Sequence, residues 1–185
     1  MAASETKSDF LAFIDSDAYP VDDWLKNGLR ILKEKKVEVV TGPTGLPFPN
    51  ENYLKKLINF SKRSFFLSGK WAKRKYSSEN FFLDNIESCN CILKTSTYEE
   101  IDGMNENLYI GEDSEFSNRI NKKFGKNKIF FSGKCGIYHK DRNLKHLILQ
   151  RLAWGMYMDV ELASGNFLDK IFFLMPMIIL LMGVS

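Results

Sequence analysis

The sequence predicts an α/β fold, because short apolar runs typical of buried strands alternate with longer segments whose apolar residues recur at helical spacing. The chain has 185 residues, of which 44% are hydrophobic and 14% are aromatic. This is enough for one core and too little for two comfortable domains. The composition therefore indicates a folded protein and excludes a disordered chain.

The first half of the chain contains two strand patterns, each followed by a helix pattern. Apolar residues between positions 21 and 32 recur every three or four residues, and Pro20 can occupy a first helical turn. Glycine and proline between positions 41 and 49 are typical of turns. The predicted elements are a strand at 10–14, a helix at 21–35, a strand at 37–40 and a helix at 53–65.

The second half repeats this alternation with shorter elements. Gly103 and Gly125 stand where two helix patterns end, a position that glycine often takes. The predicted elements are a strand at 88–93, a helix at 95–101, a helix at 112–124, a pair of strands around 128–131 and 136–139, and a helix at about 144–162.

Two carboxylates stand directly after the first predicted strand. Asp15 and Asp17 are two residues apart, so their side chains share one face of an extended segment. A hard divalent cation that keeps substrate phosphates as ligands needs only one or two protein carboxylates. An Asp-x-Asp pair also occurs by chance in turns and at helix starts. Its position after a hydrophobic strand favours a metal and diphosphate site.

Three motifs, in their order along the chain, resemble those of family 2 glycosyltransferases with the GT-A fold. They are Asp15-Ser16-Asp17, then Gly111-Glu112-Asp113 at a helix start, then a strand that ends in His139. The resemblance runs from about residue 7 to about residue 155. It implies an open, mostly parallel sheet with helices on both faces.

The resemblance also implies an activity. A family 2 enzyme moves a sugar from a nucleotide-sugar donor to a hydroxyl of a lipid-linked or cell-surface glycan acceptor, here with inversion. Asp15, Ser16 and Asp17 would bind the donor diphosphate, with Asp15 and Asp17 on a divalent cation, Mn²⁺ or Mg²⁺. Such an enzyme belongs to polysaccharide biosynthesis in the cell envelope.

The acidic residues at the start of the predicted helix at 112–124 have a structural explanation, because the helix dipole stabilises carboxylates at its N-terminus. The resemblance favours catalysis instead, with Asp113 as the general base that takes the proton from the acceptor hydroxyl. Glu112 would support the site or contact the acceptor. The two residues could also exchange these roles.

His139 has two interpretations. A single histidine is more often a structural residue than a ligand, but in some GT-A enzymes a histidine at this place joins the Asp-x-Asp carboxylate on the metal or contacts the diphosphate. Imidazole suits manganese less well than carboxylate does. His139 therefore ranks below Asp17 as a ligand.

Residues 150–154 match the signature of processive polysaccharide synthases in part. Ala153 stands where that signature has arginine, and the leucines around it fit an ordinary helix core. The missing arginine predicts transfer of one sugar and not polymerisation.

The start of the chain predicts a fragment. Family 2 enzymes hold the nucleotide largely by strands that precede the Asp-x-Asp motif, and βαβ units need about 30 residues each. Residues 1–9 are too few for them. If that half is absent, the alternative function is a catalytically inactive, membrane-associated remnant or binding protein.

The end of the chain is an uncharged apolar run at 171–184, shorter than the about 20 residues of a spanning helix. It is either the first part of a transmembrane helix or an interfacial or buried helix kinked at Pro176. We favour the first and divide the chain into a partial catalytic domain at 1–165 and a transmembrane or membrane-associated helix start at 166–185. Lys170 would then mark the cytoplasmic side, which predicts the cytoplasmic face of the cell membrane.

The remaining composition argues against other classes. A formal charge of +3 is too small to indicate nucleic acid. Basic and aromatic residues alternate between positions 62 and 76, a pattern that fits single-stranded nucleic acid, an anionic membrane surface or a solvated face. Membrane proximity is favoured. Cys89, Cys91 and Cys135 fit neither a zinc site nor a disulfide framework and are predicted to be free thiols.

Overall fold

The computed structural model describes residues 7–48, 53, 56, 63, 72–108 and 111–140. These ranges contain the Asp-x-Asp motif, the predicted helix at 112–124 and His139. The predicted helix at 144–162, the apolar run at 171–184 and most of the predicted helix at 53–65 lie outside them.

The described residues form a five-stranded sheet, a two-stranded sheet and four helices. The strands are β1 (Phe10–Ile14), β2 (Ala18–Pro20), β3 (Val39–Thr41), β4 (Asn80–Leu83), β5 (Asn90–Lys94), β6 (Ile129–Ser132) and β7 (Ile137–His139). The helices are α1 (Trp24–Lys35), α2 (Ala72–Tyr76), α3 (Thr95–Glu100) and α4 (Glu112–Phe124). The larger sheet has the strand order β1-β5-β3-β6-β4, and β2 pairs with β7.

Helices cover both faces of the larger sheet, because successive strand residues point to opposite faces. Val39 of β3 packs in one apolar cluster with residues of α3 and α4, and Val40 packs in a second cluster with residues of α1. Strands β5 and β6 alternate in the same way. The predicted α/β class and the helices on both faces are therefore confirmed.

The pairing within this sheet is mixed. Strands β3 and β6 are parallel, whereas the pairs β1–β5, β3–β5 and β4–β6 are antiparallel. Strands β1, β3 and β6 do run in one direction, as in an α/β sheet with a helical crossover. Parallel pairing is nevertheless not predominant among the described strands, because β5 runs the opposite way between β1 and β3.

The structure around the two-stranded sheet differs from the local predictions. The strands around 128–131 and 136–139 do not pair with each other, because β6 already pairs with β3 on one side and β4 on the other, and β7 pairs with β2 instead. Residues 18–20 were not predicted as a strand. Helix α1 begins only at Trp24, because the preceding residue, Asp23, has a left-handed backbone conformation with φ 58°.

Strand β4 was also not predicted. It lies at the edge of the larger sheet, where the Phe81 ring stacks on Phe131 with ring centroids 4.5 Å apart. Cys89, Cys91 and Cys135 are free thiols, as predicted. No helix within the described part of the chain is long and apolar enough to cross a membrane.

The buried side chain of Asn90 joins three separate segments. Trp24 Nε1 at the start of α1 donates to Asn90 Oδ1 at 2.9 Å. Asn90 Nδ2 donates to the carbonyl oxygens of Cys135 at 2.8 Å and Pro43 at 3.3 Å. The amide thus uses its acceptor and both of its donors, as a fully buried amide must.

We predict that Asn90→Ala lowers the free energy of unfolding by about 3 kcal/mol, because it removes the Asn90 partner of the buried Trp24 indole N–H and of the Cys135 carbonyl, whereas the Pro43 carbonyl keeps the N–H of Ile137. The measurement is urea unfolding of both proteins. Asn118→Ala on the exposed side of α4 is the control, with an expected change below about 0.5 kcal/mol. Equal effects of the two substitutions would contradict the role given to Asn90.

Candidate active site

The pairing of β2 with β7 brings the Asp-x-Asp motif next to His139. Ala18 is the register partner of His139, and the backbone N–H of Lys140 donates to the carbonyl oxygen of Asp17 at 3.2 Å. A turn closed by the Ala18 N–H and the Asp15 carbonyl then folds both aspartates towards β7. Residues that are more than 120 positions apart therefore share one site.

The three side chains are close enough to share one cation. His139 Nε2 lies 3.1 Å from Asp15 Oδ2 and 3.4 Å from Asp17 Oδ1. One ligand atom from each residue lies within 4.8 Å of the others. The aspartate side chains are 52% and 50% exposed and that of His139 is 22% exposed, so the group opens to solvent.

This donor set fits a divalent cation of the Mn²⁺ or Mg²⁺ type. Two carboxylate oxygens are hard ligands, and one imidazole nitrogen is compatible with manganese. The exposed side of the group leaves room for further oxygen ligands from a diphosphate. Ser16 is exposed between the two aspartates.

Asp113 occupies a different environment at the start of α4. Gly111, with φ 84°, forms the left-handed turn that precedes the helix. The backbone N–H of Ser88 donates to Asp113 Oδ1 at 3.1 Å. Burial raises the pKa of the Asp113 carboxyl to about 6, the hydrogen bonds from Ser88 lower it, and Glu112 and Glu87 raise it further.

A carboxylate with this pKa has the properties of a general base. It is ionised at neutral pH, and it binds a proton more tightly than an ordinary aspartate does. Glu112 is half-buried beside it on the same helical turn. The described contacts assign Glu112 no specific partner.

The start of β5 connects Asp113 to the Asp-x-Asp motif. Ile14 is the register partner of Asn90, so Asp15 leaves the sheet beside Cys89, while the neighbouring Ser88 contacts Asp113. Burial raises the pKa of the Cys89 thiol well above its usual value, and both Asp15 and Asp113 add to this effect. The structure therefore places Asp15 and Asp113 beside the same short segment.

Sequence reasoning missed a charged cluster beside this segment. Lys75 Nζ lies 2.8 Å from Glu87 Oε2, and Thr44 donates its hydroxyl to the same oxygen. Burial would raise the pKa of Glu87, but the charge of Lys75 and the hydrogen bonds from Lys75 and Thr44 hold it below its usual range. No local pattern marks this pairing, because its members come from three distant parts of the sequence.

Residues 1–102 match the sequence profile of the family described as Glycosyl transferase family 2. The matched region is more than half of the chain. The chain belongs to this family, as the motifs predicted. The matched region includes Asp15 and Asp17 and ends before Asp113 and His139. No curated protein matches the chain in sequence.

Several solved structures resemble the chain at low identity. A protein from STIV shares 16% identity at a TM-score of 0.47, over 76% of this chain and 62% of that one. S. aureus TarS 1–349 in complex with UDP-GlcNAc shares 17% identity at a TM-score of 0.48, over 80% of this chain and 39% of that one. A mycobacterial protein shares 14% identity at a TM-score of 0.49, over 86% of this chain and 49% of that one. The chain thus spans less than two thirds of each of these structures.

We predict that Asp113 makes the protein less stable as the pH rises. Its pKa is about 6 in the folded state against 3.8 ordinarily, so the folded state binds the proton more tightly. The contribution to stability is complete below about pH 4 and is lost as the pH approaches about 6, at roughly 1.4 kcal/mol per pH unit.

The measurement is the difference in unfolding free energy between the wild type and Asp113→Asn, determined at several pH values. Asparagine does not titrate, so every other group cancels in the difference. A difference that stays constant between pH 4 and pH 7 would show that Asp113 has an ordinary pKa.

Proposed function

We propose that the chain is the catalytic part of a metal-dependent enzyme that transfers one sugar from a nucleotide-sugar donor to a hydroxyl of a lipid-linked or cell-surface glycan, with inversion. The observation that carries this proposal is the arrangement around the start of β5. A three-ligand group of the cation-binding type and a half-buried carboxylate with a raised pKa both adjoin this segment.

Donor binding is assigned to the Asp-x-Asp segment. Asp15 and Asp17, with His139, would hold a Mn²⁺ or Mg²⁺ ion, which would neutralise the charge of the leaving diphosphate. The exposure of both aspartates lets a donor diphosphate approach from solvent. Ser16 lies in the turn between them and would contact the same end of the donor.

Acceptor activation is assigned to Asp113. The acceptor oxygen gives its proton to the Asp113 carboxylate and bonds to the anomeric carbon, while the bond from that carbon to the diphosphate breaks. Attack from the side opposite the leaving group inverts the configuration. The Ser88 N–H keeps Asp113 in place, and Glu112 is the alternative base.

We also propose that the enzyme works at the cytoplasmic face of the cell membrane. The support is the sequence of residues 171–184, an apolar run that follows Lys170. A lipid-linked acceptor would be presented at that surface. Nucleic acid has no part in this proposal.

We predict that Asp17→Ala abolishes metal-dependent binding of the donor, because the diphosphate charge is then left uncompensated. Calorimetric titration with Mn²⁺, and then with UDP-GlcNAc as the donor probe, measures this directly. Asp22→Ala, which removes an exposed aspartate outside the ligand group, should bind as the wild type does. Unchanged Mn²⁺ affinity in Asp17→Ala would disprove the assigned ligand role.

We predict that Asp113→Asn lowers turnover roughly 100-fold while donor and metal binding stay nearly unchanged. Asparagine keeps an oxygen for the Ser88 N–H and serves a helix start almost as well as aspartate, so a structural role alone would tolerate the change. Release of the nucleotide diphosphate measures turnover, with Glu112→Gln as the comparison.

Each outcome of that comparison has a distinct meaning. If Glu112→Gln is inactive and Asp113→Asn is active, Glu112 is the base. If the wild type binds donor without any turnover, the alternative of an inactive binding protein is favoured.

A further inference from the structure

Asn85 fastens the first turn of α4 to the loop that contacts Asp113. Asn85 Nδ2 donates to Ser114 Oγ at 2.9 Å, and Asn85 Oδ1 lies 2.8 Å from Ser117 Oγ. Ser117 Oγ also accepts the backbone N–H of Ile86 at 3.0 Å. One side chain thus reaches both of the buried hydroxyls that lie one helical turn apart on this face of α4.

The hydrogen bonds of Asn85 are connected to those of Asp113. Ser117 Oγ also lies 2.6 Å from the carbonyl oxygen of Asp113, so its single proton is donated either to this oxygen or to Asn85 Oδ1. Ser88 lies in the same loop, three residues after Asn85, and its backbone N–H donates to Asp113 Oδ1. The loop is therefore held to α4 at Asn85, and it holds the carboxylate at Ser88.

Water cannot easily replace this set of hydrogen bonds. Ser114 is 8% exposed and Ser117 is fully buried, and Ile86 of the loop packs in the apolar cluster with α4. Without the Asn85 side chain, the hydrogen bonds from this loop to Ser114 and Ser117 through its amide are lost, although Ser117 Oγ keeps the Ile86 N–H and the Asp113 carbonyl. The first turn of α4, which carries Asp113, is then held less tightly to the loop.

We infer that Asn85 is a positioning residue for Asp113: it locks the first turn of α4 to residues 84–88 and so keeps the Asp113 carboxylate at Ser88 and away from bulk water. This inference rests on the proposed function, because positioning matters for catalysis only if Asp113 is the base. Asn85 itself contacts no reacting group.

The groups around Asp113 predict the direction of the effect. Glu112 from α4 and Glu87 from the loop raise the pKa of Asp113, but burial raises it most. The thiols of Cys89 and Cys91 face the same carboxylate, and their own raised pKa values keep them neutral near pH 7. Exposure of Asp113 to water therefore lowers its pKa, even though the hydrogen bonds from Ser88 would weaken at the same time.

The chain offers a matched control on the same helix. Asn121 Nδ2 donates to the carbonyl oxygen of Asp84 at 2.7 Å, so it also ties α4 to this loop, two turns beyond Asp113. A purely structural role would give Asn85→Ala and Asn121→Ala the same consequences. A positioning role predicts that only Asn85→Ala changes Asp113.

The experiment is a pH titration of the full chain by NMR with ¹³C-labelled aspartate carboxyls, in which the Asp113 signal is identified by its loss in Asp113→Asn. In the wild type the midpoint should be about 6. In Asn85→Ala it should fall by at least about one unit towards the ordinary value. In Asn121→Ala it should stay within a few tenths of the wild type.

An unchanged midpoint in folded Asn85→Ala, or an equal fall in both variants, overturns the inference. If Asn85→Ala does not fold, Ser114→Ala is titrated in the same way, because it removes the acceptor of the Asn85 amide; an unchanged midpoint there overturns the inference too. The titration needs no substrate. A fall seen only in Asn85→Ala, together with full turnover in Asp113→Asn, would establish positioning and reject the proposed base.

Discussion

The buried amide of Asn90 is the contact on which the arrangement of the site depends. It holds the start of α1, the segment after β3 and the turn between β6 and β7 at one point. These are the segments that determine where β2 and β7 meet. Gly42 has a related role, because a Cβ atom there would lie 2.2 Å from the carbonyl oxygen of Cys135. The backbones at this point are therefore packed too closely to shift independently.

The candidate site divides its two acidic functions between two environments. Asp15 and Asp17 are half-exposed, so their carboxylates are accessible to a cation from solvent. Asp113 lies under Ser88, where removal of water makes the charged form less favourable and the carboxylate more basic. The short segment from Ser88 to Asn90 adjoins both environments, so three aspartates acquire different properties within one site.

Elements with a strong local signal were predicted well, and elements that need a distant partner were not. The predicted helix at 112–124 matches α4, because its acidic first turn and final glycine are local features. The predicted strand at 10–14 matches β1. Strands β2 and β4 were missed because they are short edge strands, and strand formation there depends on partners far along the chain. The mixed pairing was missed for the same reason. A sequence pattern indicates which face of the sheet a residue occupies, but it does not indicate which strand lies beside it.

The sequence by itself determined the α/β class, the family and the residue types available for chemistry, because apolar periodicity and the order of short motifs are local properties of a chain. Only the tertiary structure decided which of these residues meet. The register of β2 with β7 places His139 against Asp15 and Asp17, and the loop that contains Ser88 packs against Asp113, whose partial burial raises its pKa. Neither the partner of a strand nor the burial of a carboxylate can be derived from neighbours in sequence, since both depend on contacts between segments that only folding brings together.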